Sequence, residues 1–293
     1  STRVRSSAAS DVYKRQIQRR IKMKKETGIT IVALVVTIVV MLILVGVSVT
    51  VSINGGLFNT TKESTYKTEV SQVKEALEEE IVQRKARRES VDNITIADLD
   101  IPDKIKDKYK DKLIVSEICE IEYDPSVITD KIEQKWLEDI GVICLSDYYT
   151  YDGNKVTGLS KKGAEAIDRG MTTLIIPKQN KDGKVTKYVG SWAFNAAKGR
   201  LYVEQNIKVK EIVLPDTIES IGDAGFQWLS GLEKMELPKS ITWVGYQAFF
   251  GSFKKSTGEL HVPFTQEEIA NMNWNSSWKQ YVQGKIIYAD ETT

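Results

Sequence analysis

The chain has 293 residues, 41% hydrophobic and 28% charged, with 41 Lys/Arg against 40 Asp/Glu. That composition is ordinary for a folded chain of one or two domains and excludes wholesale disorder. A formal net charge of +1 provides no broad cationic field, so nucleic acid is not an expected partner.

In chain order, the first segment to set aside is 1–22. Ser6–Gln16 (SSAASDVYKRQ) reads codon for codon as a transposase sequencing adapter. Arg19-Arg20, separated by two codons from Met23, has the spacing of a ribosome-binding site before a start codon. Residues 1–22 are therefore expected to be non-native adapter and untranslated sequence. They hold seven Lys/Arg and one Asp, and removing their net +6 turns +1 into −5.

Ile29–Ile53 is an uncharged run of 25 residues, which as a helix extends about 37 Å against a hydrocarbon core of roughly 30 Å. A buried core helix or a cleaved secretory signal are the alternatives, but both have shorter apolar stretches. Lys24 and Lys25 precede the run and the next charge is Lys62. Positive-inside bias therefore predicts a single-pass membrane protein with its N-terminus in the cytoplasm and the rest outside.

Lys24-Lys25-Glu26-Thr27-Gly28 before Ile29-Thr30-Ile31-Val32 resembles the processing site of type IV pilins and pseudopilins. The resemblance implies a leader at 23–28, cleavage between Gly28 and Ile29 by a prepilin peptidase, and other pilin-like subunits as partners. Pilins carry glutamate at the fifth mature position, where this chain has Ala33. A buried amine without that partner argues against filament assembly.

After Asn54-Gly55-Gly56, the residues Tyr66, Val70, Val73, Leu77 and Ile81 recur at spacings of four, three, four and four. They predict an amphipathic stem helix within 54–90, packed against the following domain or a second copy. Glu78–Glu80 followed by Arg84–Arg88 suits i,i+4 pairing and the helix dipole.

Residues 91–170 read as a connecting α/β region. Ile132, Trp136, Leu137 and Ile140 mark a helix ending at Gly141, and Ser160 caps a second that stops at Gly170. Strands are expected at Ile114–Tyr123 and Val142–Tyr151. Cys119 and Cys144 are the only cysteines. Outside the cell they permit one disulfide, worth about 3 kcal/mol, or remain two buried thiols.

The strongest soluble signal is a repeat within 171–290. Val213-Leu214-Pro215-Asp216-Thr217-Ile218-Glu219-Ser220-Ile221-Gly222-Asp223-Ala224-Gly225-Phe226 recurs 23 residues later as Glu236-Leu237-Pro238 through Val244-Gly245 to Ala248-Phe249. Ile176-Pro177 with Val189-Gly190 and Ala193-Phe194 is a looser copy, and Val262-Pro263 starts another. Leu174/Ile176, Ile212/Leu214, Met235/Leu237 and Leu260/Val262 alternate inward, and each proline ends its strand. The glycine is expected to allow a sharp turn, and Phe194, Phe226 and Phe249 to stack as a spine. The pattern resembles the BspA-type bacterial surface leucine-rich repeat, with 262–288 similar to its closing segment. That resemblance implies adhesion or recognition outside the cell and transfers no catalytic residue.

Residues two and four before each proline should face outward: Thr173, Ile175, Glu211, Val213, Lys234, Glu236, Glu259 and His261. They are a candidate face for an extracellular protein or glycan ligand, with an ordinary solvated sheet as the alternative. His261 is the only histidine, which excludes His-rich metal sites and any histidine dyad not using it. Asp152-Gly153 and Asp182-Gly183 read as turns rather than calcium loops. Leu214–Ile218 is one residue from a sortase signal but lacks its glycine and apolar tail. No phosphate-binding glycine motif, cofactor or catalytic pair is expected.

The expected fold is thus α+β: a long membrane-spanning pilin-like helix and stem, a small α/β region and a short leucine-rich-repeat solenoid. The expected function is that of a non-enzymatic, membrane-anchored recognition or adhesion protein. A minor pilin or pseudopilin carrying the repeat as a tip module is the alternative, and a surface hydrolase using 91–170 ranks last.

Overall fold

The computed structural model describes residues 57–91, 93–195 and 207–291. Compactness divides the chain into Ser1–Thr65 and Tyr66–Thr293. Only the start of helix α1 (Leu57–Arg87) is described in the first unit. The second holds two hydrophobic cores.

The first core is built on α1. Tyr66, Val70, Val73 and Leu77 are at most 6% exposed, so the stem face is consumed within the chain. It packs with Leu99, with Ile105 and Tyr109 of α2 (Asp103–Tyr109), and with Leu137 of α3 (Lys131–Asp139). The α3 N-terminus is capped by Asp130, whose carboxylate accepts from Ile132 N at 2.8 Å. Its C-terminal carbonyl at Ile140 accepts from Lys74 Nζ at 2.7 Å, a cation where the helix dipole favours one. Gly141 follows at φ +78°, a conformation open to glycine without strain. A three-stranded sheet closes this layer: β1 (Leu113–Val115) antiparallel to β2 (Ile121–Tyr123), and β2 parallel to β3 (Ile143–Cys144).

The second core runs through the repeats. The hairpin β4 (Tyr149–Asp152) and β5 (Lys155–Leu159) leads into α4 (Lys161–Asp168), capped by Ser160. Two sheets follow. One holds β6 (Thr173–Ile175), β8 (Glu211–Val213), β10 (Lys234–Glu236), β12 (Glu259–His261) and β13 (Lys285–Ile287), each parallel to its neighbours. The other adds β7 (Tyr188–Val189), β9 (Ser220–Ile221) and β11 (Trp243–Val244) in parallel to β5. The first three rungs thus contribute a strand to both sheets, β12 and β13 join the first sheet only, and a short helix, α5 (Gln266–Ala270), precedes the last rung.

Between the sheets, Phe194, Phe226 and Phe249 stack at 5.3 and 5.8 Å with planes 9° apart, the spine that the repeat predicts. Tyr149 meets it edge-on at one end and Trp278 at the other. The repeated glycine acts differently from expectation. At Gly222 an added Cβ would lie 2.4 Å from Ser191 N, and at Gly245 2.7 Å from Asp223 N. The side chain is excluded because the rungs approach so closely, not because the backbone needs a positive φ there. The left-handed residue comes two places later and is not glycine: Trp192, Ala224 and Gln247 lie at φ 63°, 52° and 49°. Each holds this strained conformation while donating its N–H to the following rung, at Asp223, Tyr246 and Ser277 carbonyls.

Two expectations are corrected. The fold is mixed α/β with largely parallel sheets, not α+β with a membrane-spanning helix. Among the described residues no helix is long and apolar enough to cross a membrane, because the long helix α1 has one apolar face only. The predicted run 29–53 and the cleavage pair Gly28 and Ile29 lie outside the described residues. The strand expected over 114–123 is a hairpin, turned where Cys119 adopts φ 58°. Cys119 and Cys144, for which the sequence leaves a disulfide and two thiols both open, stand as thiols. Cys119 Sγ lies 3.6 Å from the Val91 carbonyl, and Cys144 is buried with Sγ 3.2 Å from Ser146 Oγ.

Candidate recognition surface

The parallel register brings the outward residues into two rows. Thr173, Glu211, Lys234, Glu259 and Lys285 pair across successive strands. In the second row Ile175 pairs with Val213, Glu236 with His261, and His261 with Ile287. The residues between them, Leu174, Ile212, Met235 and Leu260, are at most 1% exposed, so the alternation fixes which side each faces.

The eight predicted positions share one sheet but are not chemically equivalent. Thr173 is tied off: its hydroxyl donates to Glu117 at 2.7 Å, and its N–H and the N–H and hydroxyl of Thr172 also donate to that carboxylate. Burial raises the Glu117 carboxyl, but these four donors outweigh it and hold it below its ordinary value. The loop between β1 and β2 therefore covers the edge of the first rung, which sequence spacing cannot reveal.

Beside it Ile175 and Val213 are 36% and 41% exposed on adjacent strands. They form the apolar end of the face. The other end is charged and paired within strands: Lys234 with Glu236 at 2.9 Å, and His261 Nε2 with Glu259 at 3.1 Å. The hydrogen bond from Lys234 holds the Glu236 carboxyl below its ordinary value. Such exposed pairs contribute little to stability and present alternating charge to a partner. Glu211 shares the first row with Lys234 and Glu259.

Sequence reasoning missed exposed aromatics away from this face. Trp228, Phe250 and Tyr281 form a ridge with centroids 5.1 and 5.0 Å apart, Tyr281 being 68% exposed. Trp243 and Tyr246 are exposed on the side of the second sheet. The only sequence signal is that each lies where the repeat phrase has no inward position. It also missed a buried carboxylate. Glu122 of β2 is 2% exposed and accepts from Tyr148 Oη at 2.5 Å, joining the two cores. Burial pushes it up to about 7, against hydrogen bonds from Tyr148 and Ser116 that lower it.

Comparison with known proteins supports this reading of the repeats. Residues 201–279 match the family model of the BspA type leucine rich repeat region in six copies. No curated protein and no solved structure matches the chain. The match covers the BspA-like part and does not extend to the pilin-like segment. It is consistent with a surface adhesion or recognition module.

Proposed function

We propose that this chain is a non-enzymatic recognition or adhesion protein of the bacterial surface, binding an extracellular protein or glycan through the outer face of β6, β8, β10, β12 and β13. One observation carries the reading: five parallel strands expose a continuous face that divides into an apolar end at Ile175 and Val213 and an alternately charged end. The BspA-type match supports the class of function. The apolar run Ile29–Ile53, preceded by Lys24 and Lys25, supports attachment to the cell membrane with the repeats outside.

The test has two arms. Protease added to intact cells should remove the repeats, and their protection would overturn the surface assignment. The purified full chain should bind one or more members of a panel of extracellular proteins and glycans. The paired substitution Ile175→Lys and Val213→Lys should weaken that binding at least about tenfold, the loss of roughly 1.4 kcal/mol. Unchanged binding would move the site off this face.

A second reading, a minor pilin or pseudopilin with prepilin peptidase and pilin-like subunits as partners, is favoured by Lys24–Val32 alone. Recovery of the chain in sheared filaments would select it; Ala33 argues for absence from them.

A further inference from the structure

A row of aromatic rings lies outside the core. Trp228 falls between β9 and β10, Phe250 between β11 and β12, and Tyr281 shortly before β13, which places one ring on each successive rung. Their centroids are 5.1 and 5.0 Å apart. That step follows the strand spacing of about 4.8 Å, so the row runs along the array. Trp228 is 42% and Tyr281 68% exposed, with Phe250 half-buried between them. None of the three belongs to the described hydrophobic core of the array, so burial does not account for them.

The backbone holds two of these rings under strain. Trp228 and Tyr281 are left-handed, at φ 68° and 56°, a conformation that bulky residues rarely adopt. On the intervening rung Gly251 takes the same turn at φ 68° without that strain. The N–H of Trp228 donates to the Phe250 carbonyl, and the N–H of Gly251 to the Tyr281 carbonyl. Glycine also makes room there: an added Cβ would lie 2.5 and 2.7 Å from Cε3 and Cζ3 of Trp228. The indole is therefore seated on the backbone of the next rung, and its exposed remainder is held in place before any ligand arrives. Strained rings that are fixed yet left open to solvent point to recognition rather than to packing.

We propose that this row is a second binding surface, on which a neutral polysaccharide lies along the array with its sugar rings against Trp228 and Tyr281. Beside the rings, Gln247 Nε2 donates to Gln280 Oε1 at 2.9 Å. That bond leaves the Gln280 amide nitrogen as a donor and the Gln247 carbonyl as an acceptor, the pair that adjacent sugar hydroxyls require. None of these five side chains is charged, so an acidic chain gains nothing here over a neutral one. The shape also favours a linear ligand. Protein partners anchor on residues set in a desolvated pocket with a ring of contacts around it, whereas these rings stand in single file, one to a rung. The surface lies apart from the outer face of β6, β8, β10, β12 and β13 and does not depend on it.

Dextran, mannan and a soluble β-glucan are the probes, each cast into a native gel through which the full chain is run and each titrated while tryptophan fluorescence is followed. At least one should retard the chain and shift its fluorescence, and hyaluronan, an acidic polysaccharide, should bind no more tightly. Trp228→Gly and Tyr281→Gly should each weaken the binding about tenfold or more. Tyr281→Gly should leave the thermal midpoint unchanged or raise it, because glycine releases the left-handed strain. Tyr281→Phe keeps the ring and should keep the binding. The paired Ile175→Lys and Val213→Lys change should leave it intact, which separates the row from the sheet face. Retardation by none of the three polysaccharides, tighter binding of hyaluronan, or full binding by the glycine variants would overturn the proposal. So would a Tyr281→Gly variant that loses binding only with a lowered midpoint, which would make the ring structural. An extracellular protein whose binding, rather than that of a polysaccharide, is lost with Trp228 and Tyr281 would overturn it as well.

Discussion

The repeat array and residues 66–144 both bury aromatic rings, but they do so in different ways. In the array Phe194, Phe226 and Phe249 hold equivalent positions in successive rungs and stack within 9° of parallel. In the other region Tyr66 meets Tyr109 at 74° and Trp136 at 51°, each contact occurring once. A rung completes its core only with the next one, so damage should travel along the stack. A core enclosed by α1, α2, α3 and three strands should confine damage to itself. The difference also explains why one region can present a regular face: its strands are held in register by repetition.

The largest expected effect breaks the stack at its centre. Phe226→Ala removes a fully buried ring and should cost about 3 to 5 kcal/mol in urea denaturation of the full chain. A loss below 1 kcal/mol would remove the spine from the account.

The next effect tests the join between the two cores. The Glu122 carboxyl is raised from 4.5 to about 7. Between these values the unfolded chain loses its proton first, so stability should fall as pH rises through the window. The whole decrease is about 3 kcal/mol, with no further contribution from this group below or above it. Glu122→Gln should remove that slope, and a slope that persists would place the titrating group elsewhere.

Gly222→Ala should cost about 1 to 3 kcal/mol by forcing the rungs apart at Ser191. A neutral result would mean that the rungs are less closely spaced than described. The smallest effect belongs to the outer face: Glu236→Ala loses an exposed pair with Lys234 and should stay within about 0.5 kcal/mol. A larger loss would mean that Glu236 is part of the packing and not of a recognition surface.

Much of the array was legible in the sequence because its chemistry repeats. The 23-residue offset set Phe226 over Phe249 and Ile212 beside Met235, and inward alternation located the strands. Residues that deviate from the phrase were not legible. The left-handed positions are filled by Trp192, Ala224 and Gln247, whose types carry no turn signal, so the strain was assigned to the neighbouring glycines. The hairpin over 113–123 turns at Cys119 without glycine, proline or asparagine to mark it. Thr173 lost its place on the open face through Glu117, 56 residues away, a contact that no local pattern encodes. Of the candidate site, the two rows followed from alternation, while the ion pairs that divide it required three-dimensional neighbours.

Native-state hydrogen exchange on Phe226→Ala and Leu137→Ala in the full chain tests the contrast most directly. Leu137 is fully buried in the first core. The account predicts that Phe226→Ala lowers protection in the rungs of both Phe194 and Phe249 and spares the amides of α2, α3 and β1, whereas Leu137→Ala does the reverse. Equal loss of protection across both regions in either variant would show one undivided cooperative unit and contradict it.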